Sequence, residues 1–497
     1  MKFCPNAVAL LSVFQDVCPV TKSTCCTALY NSPLSNRLIL PDSPLYEAAV
    51  NNHFATNAPL YPACLLQPES VEDVSRAVSL LVETDDGSPQ CQFAVRSGGH
   101  ATWAGASGTR DGVTIDLSRM NSTIYNENNS TASIMAGARW GSVYKTLKPY
   151  GVAVTGGRDD TLGVGGILMG GGFSFFAARY GLLCDNVENY EVVLANGEIV
   201  NANLESSPDL FRALKGGSNN FGIITKIDLR TFKQGDLWGG IIAHDLSTTS
   251  QQISALVNFT NNVADDPHAS LVSIWQYSST LGKIAASGMQ YTKPVKRPAA
   301  YREFLQIPSV ANTFRFTDIF DLMKETAPPG GNRIRLLTLT FGNDERVLRK
   351  LLDVQDELVE EVKAKVHSKG WDVVSFLQPL PKLIGEFSER NGGNVLPLNR
   401  MDKNHLLYLS YISWDDSADD ALFRDTGDRL ISRVSEYAKS INEDNGFIYM
   451  NYADKVQNPL RSYGEENLQH ILRVARKYDP TGVFQVQVPG GYKASAA

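Results

Sequence analysis

Between Thr155 and Gly172 the chain carries glycine at positions 156, 157, 163, 165, 166, 170, 171 and 172. So few side chains cannot make ordinary core packing. Leu162, Val164 and the run Ile167 to Met169 nonetheless make the stretch too aliphatic for a flexible linker. The expectation is a backbone pressed against a large flat ligand. Two further segments repeat the device. Val95-Arg96-Ser97-Gly98-Gly99-His100, with Gly105 beyond it, precedes a strand-like Val113 to Leu117, and Lys215 to Ile224 is a glycine turn that runs into a strand. Adjacent glycines leave backbone N–H groups free to converge on an anion such as a pyrophosphate. Three such segments in one region suggest a single extended dinucleotide. They do not form a Rossmann fingerprint, because the order of strand, glycine turn and long helix is missing.

The 497 residues exceed the roughly 250 to 300 that one core can serve, so two lobes are expected. With 43% hydrophobic and 20% charged residues the chain reads as globular, and its formal charge of −7 gives no field for nucleic acid or an anionic membrane. No apolar run reaches the roughly 20 residues of a membrane span, and no long repeat is present. Lys2 followed by Ala7 to Phe14 has some signal-peptide character, but Cys4, Pro5 and Asn6 interrupt it and no small-x-small cleavage site follows. Cytoplasmic and secreted placements both stay open. Of seven cysteines, Cys4, Cys18, Cys25, Cys26 and Cys64 cluster early, which suits one or two disulfides in an exported chain and fits no zinc spacing. Sequons at Asn121, Asn128, Asn129 and Asn258 are permissive of export.

Along the chain, residues 1–60 read as irregular. Ser70 and Asp73 form a capping-box variant opening a helix with Val74, Ala77, Val78 and Leu81 on its apolar stripe. A strand is expected at Cys91 to Val95, and Val192 to Leu194 pairs with Ile199-Val200 across an Asn196-Gly197 turn. The texture changes after Gly235. Apolar strands at Leu271 to Tyr277, Ile334 to Phe341 and Leu406 to Trp414 then alternate with charged helices. One helix spans about Asp344 to His367, and another opens at Ser417, with Asp420 as its capping partner and Leu430, Val434, Tyr437 and Ile441 inward. From Phe447 strand character returns, and Lys493 to Ala497 read as frayed.

Arg96 to His100, Gly163 to Gly172, Asp185-Asn186, Phe211 to Thr225, and Tyr449-Met450-Asn451-Tyr452 followed by Tyr478-Asp479-Pro480 and Phe484 together carry a resemblance. From about Tyr61 to Phe484 the chain resembles the FAD-linked oxidases with the vanillyl-alcohol-oxidase (PCMH) type of flavin domain, within them the berberine-bridge-enzyme-like branch, and fungal members in texture. The resemblance implies an α+β fold with a PCMH-type FAD-binding domain and an antiparallel-sheet substrate domain covered by helices. It divides the chain into an N-terminal segment (1–60), the FAD domain (61–234), the substrate domain (235–445) and a C-terminal segment (446–497) that returns to the FAD domain.

Flavin contacts are then expected from Arg96, Ser97, Gly98, Gly99, His100 and Gly105, from Leu162, Gly163, Gly165, Gly166, Gly170, Gly171 and Gly172, and from Gly222, Ile224 and Asn451. In this family the histidine at His100 is bonded to the flavin 8α-methyl group. Relatives that carry a second tether have a cysteine where this chain has Asp159, so a single bond through His100 is implied. Leu162 matches a position that in some relatives gates oxygen. Tyr452 is the first choice of catalytic base and Tyr449 the second, while Asn451 faces the flavin or the substrate. A free phenol has a pKa near 10, so Tyr452 needs a helper that the sequence does not name. Trp275, Tyr277, Tyr291, Phe316 and Trp414 are candidate pocket aromatics.

The implied activity is FAD-dependent hydride removal from a small organic molecule, with oxygen as acceptor. A secondary metabolite (alcohol, phenol or polyketide) is favoured, with cyclisation or coupling of the product as an option. A carbohydrate or alcohol oxidase or dehydrogenase is the alternative, and a flavin-containing non-redox cyclase or isomerase is a rival of another class. Oligomeric state is not legible.

Overall fold

The computed structural model describes residues 23–82 and 91–497. Among the described residues the strands form three sheets, of four, six and eight strands. The first has Cys64–Leu66 and Phe93–Arg96 both parallel to Val113–Asp116, with Leu38–Ile39 antiparallel at its edge. The six-stranded sheet is antiparallel around the long strand Ile223–Lys233, and the 192–200 hairpin falls in the expected register, Val193 opposite Ile199 and Val192 opposite Val200. Leu237–His244 begins the antiparallel eight-stranded sheet. Among the described residues no helix is long and apolar enough to cross a membrane.

The helix at Val71–Val82 buries Val74, Ala77, Val78 and Leu81, and Ser70 Oγ accepts from the Asp73 amide. Asp73 returns the favour one residue early, to the amide of Glu69. Residues before it are less irregular than expected, with helices at Thr24–Tyr30 and Tyr46–Val50. Cys25 pairs with Cys91 and Cys26 with Cys64, tying the first of these helices to the four-stranded sheet. Lys2, the Ala7 to Phe14 run, Cys4 and Cys18 lie outside the described residues.

Period-two alternation decides the eight-stranded sheet. Leu271, Trp275, Val373, Leu377, Tyr408 and Ile412 turn to one side, where helices Thr249–Asn262, Glu345–Lys363 and Asp420–Ser440 cover them. The last helix differs from expectation at its start. Asp416, not Ser417, caps a short turn ahead of it, and the buried row is Phe423, Leu430, Val434 and Ala438, with Tyr437 and Ile441 only half-buried.

The tail from Phe447 is not strand. It forms a 3-10 turn at Met450–Tyr452 and helices at Pro459–Ser462, Glu465–Tyr478 and Val483–Val486. Periodicity in so short an aromatic run did not separate extended from turn backbone. Nor are the last residues frayed. Ala494 is buried, its amide donates to Asn220 Oδ1, and Asn220 Nδ2 donates to the Tyr492 carbonyl. Phe447, Tyr449, Leu460, Ile471, Phe484 and Val488 all join the core that contains the six-stranded sheet.

Residues 53–58 join the two parts of the molecule. The Phe54 amide donates to the Gly99 carbonyl and the Thr56 amide to that of Asn332. The Asn57 side chain donates to Thr102 and accepts from the Ile334 amide.

Candidate active site

A cavity of about 730 Å³ lies between the glycine segments and the open face of the eight-stranded sheet. Ser97 to His100, Leu162, Gly163, Gly165, Gly166, Gly222, Ile224 and Asn451 all line it. Arg96, Gly105 and Gly170 to Gly172 do not, so these five sequence-predicted contacts act behind the wall or elsewhere. Arg96 is buried, with Nη2 donating to Asp116 Oδ2 at 3.0 Å and to the Ala49 carbonyl at 2.7 Å. Gly171 and Gly172 have φ of +102° and +85°, where a side chain would be strained, and a Cβ on Gly170 would fall 2.2 Å from Asn451 Oδ1.

The residues fit a dinucleotide flavin. A Cβ on Gly98 would stand 2.5 Å from the Gly163 backbone, so the two glycine segments meet main chain to main chain. A Cβ on Gly166, in contrast, would meet no protein atom within 4 Å and would enter the cavity. The size lies in the ordinary range for cofactor sites, about 300 to 1,000 Å³.

His100 stacks on Phe54, ring centroids 4.5 Å apart and 15° from parallel. Its Nε2 is 3.1 Å from Thr161 Oγ1, and the Thr161 hydroxyl and amide both approach Asp159 Oδ1 at 2.8 Å. Burial pulls the ring's pKa down to about 4 against the opposing pull of Asp159, so the imidazole is neutral near pH 7.

At the inner end, Tyr452 sits on the 3-10 turn Met450–Tyr452. That turn is pinned to the eight-stranded sheet just beyond it. Arg335 Nε donates to Asp454 Oδ2 at 3.2 Å, and Gln457 exchanges two hydrogen bonds with the Thr338 backbone. Arg158 Nη2 donates to the Tyr452 oxygen at 2.8 Å and to Gln378 Oε1 at 2.6 Å, and the Tyr452 hydroxyl points to the same Gln378 oxygen at 3.4 Å. The helper that the sequence left unnamed is thus a guanidinium. A proton leaving Tyr452 leaves its charge on an atom already facing a cation.

Tyr449 is fully buried, and burial pushes its phenol far above its ordinary pKa. Its oxygen accepts from Asn451 Nδ2 at 2.9 Å. Of the two phenols, Tyr452 is the one hydrogen-bonded by a guanidinium. Asn451 also donates to the Ile167 carbonyl at 2.9 Å, bracing the end of the short helix Val164–Met169.

None of Trp275, Tyr277, Tyr291, Phe316 and Trp414 lines the cavity. Trp275 and Trp414 belong to the opposite face with the helices, Tyr291 bonds Asp266, and Phe316 is exposed. The wall is made instead by Val272, Ile274 and Gln276, by Val374, Phe376 and Gln378, and by Leu407, Leu409 and Tyr411. Sequence reasoning missed these, and Arg158 with them. The available signal was the i, i+2 spacing on the strands and a lone arginine within the glycine run.

Residues 62–203 match the family described as an FAD binding domain. The chain is 44% identical to the FAD-dependent monooxygenase sdcF of Emericella nidulans over 480 residues, 96% of this chain and 100% of that one. Two solved structures share the fold at low identity. The BBE-like 1 protein of Physcomitrella patens has a TM-score of 0.73 at 19% identity, covering 93% of this chain and 98% of that one. Glucooligosaccharide oxidase from Acremonium strictum, described as carrying a 6-S-cysteinyl, 8α-N1-histidyl FAD, has a TM-score of 0.72 at 18% identity, covering 90% and 95%. Taken with the two-lobe α+β architecture and the glycine-walled cavity, these likenesses make the chain an FAD-binding oxidoreductase, and it belongs to the family that includes the FAD-dependent monooxygenase sdcF.

Proposed function

We propose that the protein removes a hydride from an apolar, ring-bearing organic substrate, a secondary metabolite with an alcohol or phenol group, while Tyr452 takes the hydroxyl proton. FAD bound in the cavity supplies the two-electron acceptor and passes the electrons to dioxygen. His100 would be the single covalent tether, and Ser97 to Gly99 with Gly163 to Gly166 would hold the flavin. The domain extents that go with this reading are 61–234 for flavin, 235–445 for substrate and 446–497 for the returning segment.

One observation carries the substrate class. The sheet face opposite the glycine segments presents Val272, Ile274, Val374, Phe376, Leu407 and Leu409 across its middle, with Gln378 beside Arg158 and Tyr452 at one end and Gln276, Ser278 and Asp372 at the other. An apolar middle between two polar ends suits a molecule with a hydrophobic body that is oriented by hydroxyls at its ends. A sugar would need hydroxyl partners across that middle as well.

At the Tyr452 end, Gln378 Oε1 accepts from both Arg158 and Tyr452 and so holds the phenol in line. Arg158 stabilises the charge on the phenol oxygen after proton removal. Arg158→Met is expected to slow anaerobic flavin reduction about 10- to 100-fold, the worth of one charge-assisted hydrogen bond. Full activity in that variant would remove Arg158 from the reaction.

The test of the whole reading is substrate-dependent bleaching of the flavin without oxygen, using phenols, polyketide-like alcohols and oligosaccharides side by side. Bleaching by the apolar compounds alone supports it. Bleaching only by oligosaccharides would transfer the assignment to carbohydrate oxidation, and product formation without bleaching would favour a non-redox cyclase.

The name of the Emericella nidulans relative raises a second reading, in which an oxygen atom enters the product. Isotopically labelled dioxygen separates the two, since an oxidase puts its label in peroxide only. Leu162 lines the flavin region of the cavity. Leu162→Ala is expected to speed reoxidation of the reduced flavin by dioxygen several-fold in stopped flow, and an unchanged rate would mean that Leu162 only packs.

A further inference from the structure

We propose that Thr161 and Asp159 are positioning residues for His100, holding the ring in the tautomer whose Nδ1 is free to bond the flavin. The inference rests on the reading of His100 as the tether. It starts from the order of donors in one short chain of hydrogen bonds. Asp159 as a carboxylate can only accept, so the Thr161 hydroxyl proton is committed to its Oδ1 at 2.8 Å. Thr161 Oγ1 is then left as an acceptor toward His100, 3.1 Å away, and Nε2 must carry the ring proton. A neutral imidazole has one N–H, and Nδ1 therefore keeps its lone pair. Nδ1 has no hydrogen-bond partner among the described residues, and the ring lines the cavity.

The rest of the site holds this arrangement in place. Arg139 Nη1 donates to the Thr161 carbonyl, the Thr161 amide donates to Asp159 Oδ1, and Phe54 stacks on the ring. These contacts hold the Thr161 main chain, and turning its hydroxyl away from His100 would break the bond to Asp159 Oδ1 as well.

A C–N bond forms between Nδ1 and the 8α-methyl carbon, and that carbon loses one hydrogen as a proton. Two electrons pass into the flavin ring and from there to dioxygen. Positive charge grows on the imidazole as the bond forms, and the Nε2 proton moves along Thr161 toward Asp159. Dioxygen takes the two electrons and two protons, one from the methyl group and one from the imidazole, and leaves as hydrogen peroxide. In this scheme Thr161 and Asp159 are positioning residues, since neither touches the reacting carbon.

The experiment loads FAD into protein produced under riboflavin limitation and follows the flavin that stays on the acid-precipitated chain with time. Each value is divided by the total flavin bound before precipitation, so a weakly binding variant is not scored as a slow one. Wild type and Thr161→Ser, which keeps the hydroxyl, are expected to tether at the same rate. Thr161→Val and the near-isosteric Asp159→Asn are expected to tether at least tenfold more slowly at equal total flavin, and His100→Ala not at all. Wild-type rates in Thr161→Val and Asp159→Asn, with His100→Ala untethered, would overturn the relay and leave the tether standing. Flavin released from wild type as freely as from His100→Ala would overturn the tether itself, and the relay with it.

Discussion

Replacing Tyr452 with phenylalanine is expected to lower the rate of flavin reduction by about 10²- to 10⁴-fold, the usual contribution of a positioned acid–base group. The substitution removes one oxygen and leaves the ring packed edge-on against Tyr449, centroids 4.9 Å apart. Flavin content and unfolding midpoint should stay at wild-type values. Arg158 Nη2 and Gln378 Oε1 lose their partner, at 2.8 and 3.4 Å, but remain 2.6 Å from each other. The loss therefore falls on proton removal. Tyr449→Phe is the control, because that buried phenol is held far above its ordinary pKa and serves Asn451. Anaerobic stopped flow with a saturating substrate reads both. A Tyr452→Phe rate within a factor of two of wild type would end the base assignment without touching the enzyme class.

The second large effect is on stability. Arg96→Met should destabilise the fold by about 3–5 kcal/mol, since it strands a buried carboxylate whose main partner is gone. Arg96 and Asp116 are 2% and 1% exposed, and among the described residues each is the other's only ion-pair partner. The same guanidinium also donates to the carbonyls of Ala49 and Val50, so its loss frees the segment that brings Phe54 against His100. Urea unfolding followed by circular dichroism and by flavin fluorescence should show both midpoints falling together. Breaking the exposed Arg349–Glu345 pair should leave them unmoved. If Arg96→Met matched that control, the buried pair would be dispensable and the first glycine loop would be held by its backbone alone.

The glycine segments were legible because their composition is incompatible with any ordinary role, and Gly98, Gly163 and Gly166 meet at the cavity as that argument requires. Helix Val71–Val82 and the 192–200 hairpin were legible from caps and periodicity. The substrate wall was not. Both faces of the eight-stranded sheet are apolar, one for helices and one for the cavity, so alternation showed two sets of residues without saying which set faced the flavin. Trp275 and Trp414 were drawn from the wrong set. Arg158 and Gln378 escaped because 220 positions separate them and only tertiary folding makes them neighbours of Tyr452. Gly170 to Gly172 taught a different point. Their glycines answer to backbone angle and to the close approach of Asn451.

The packing of residues 447–494 into the same core as the six-stranded sheet has a bearing on how the chain is made. Synthesis proceeds from the N-terminus, and domains tend to fold as they emerge. Here the eight-stranded sheet, complete once Trp414 has been made, can close while the earlier segment still lacks Phe447, Leu460, Ile471 and Phe484. During translation the later-made half is thus the first to finish. The core around the glycine segments is completed only by the final tenth of the chain, and the part of the cavity wall that Tyr449 to Ala453 supply is made with it.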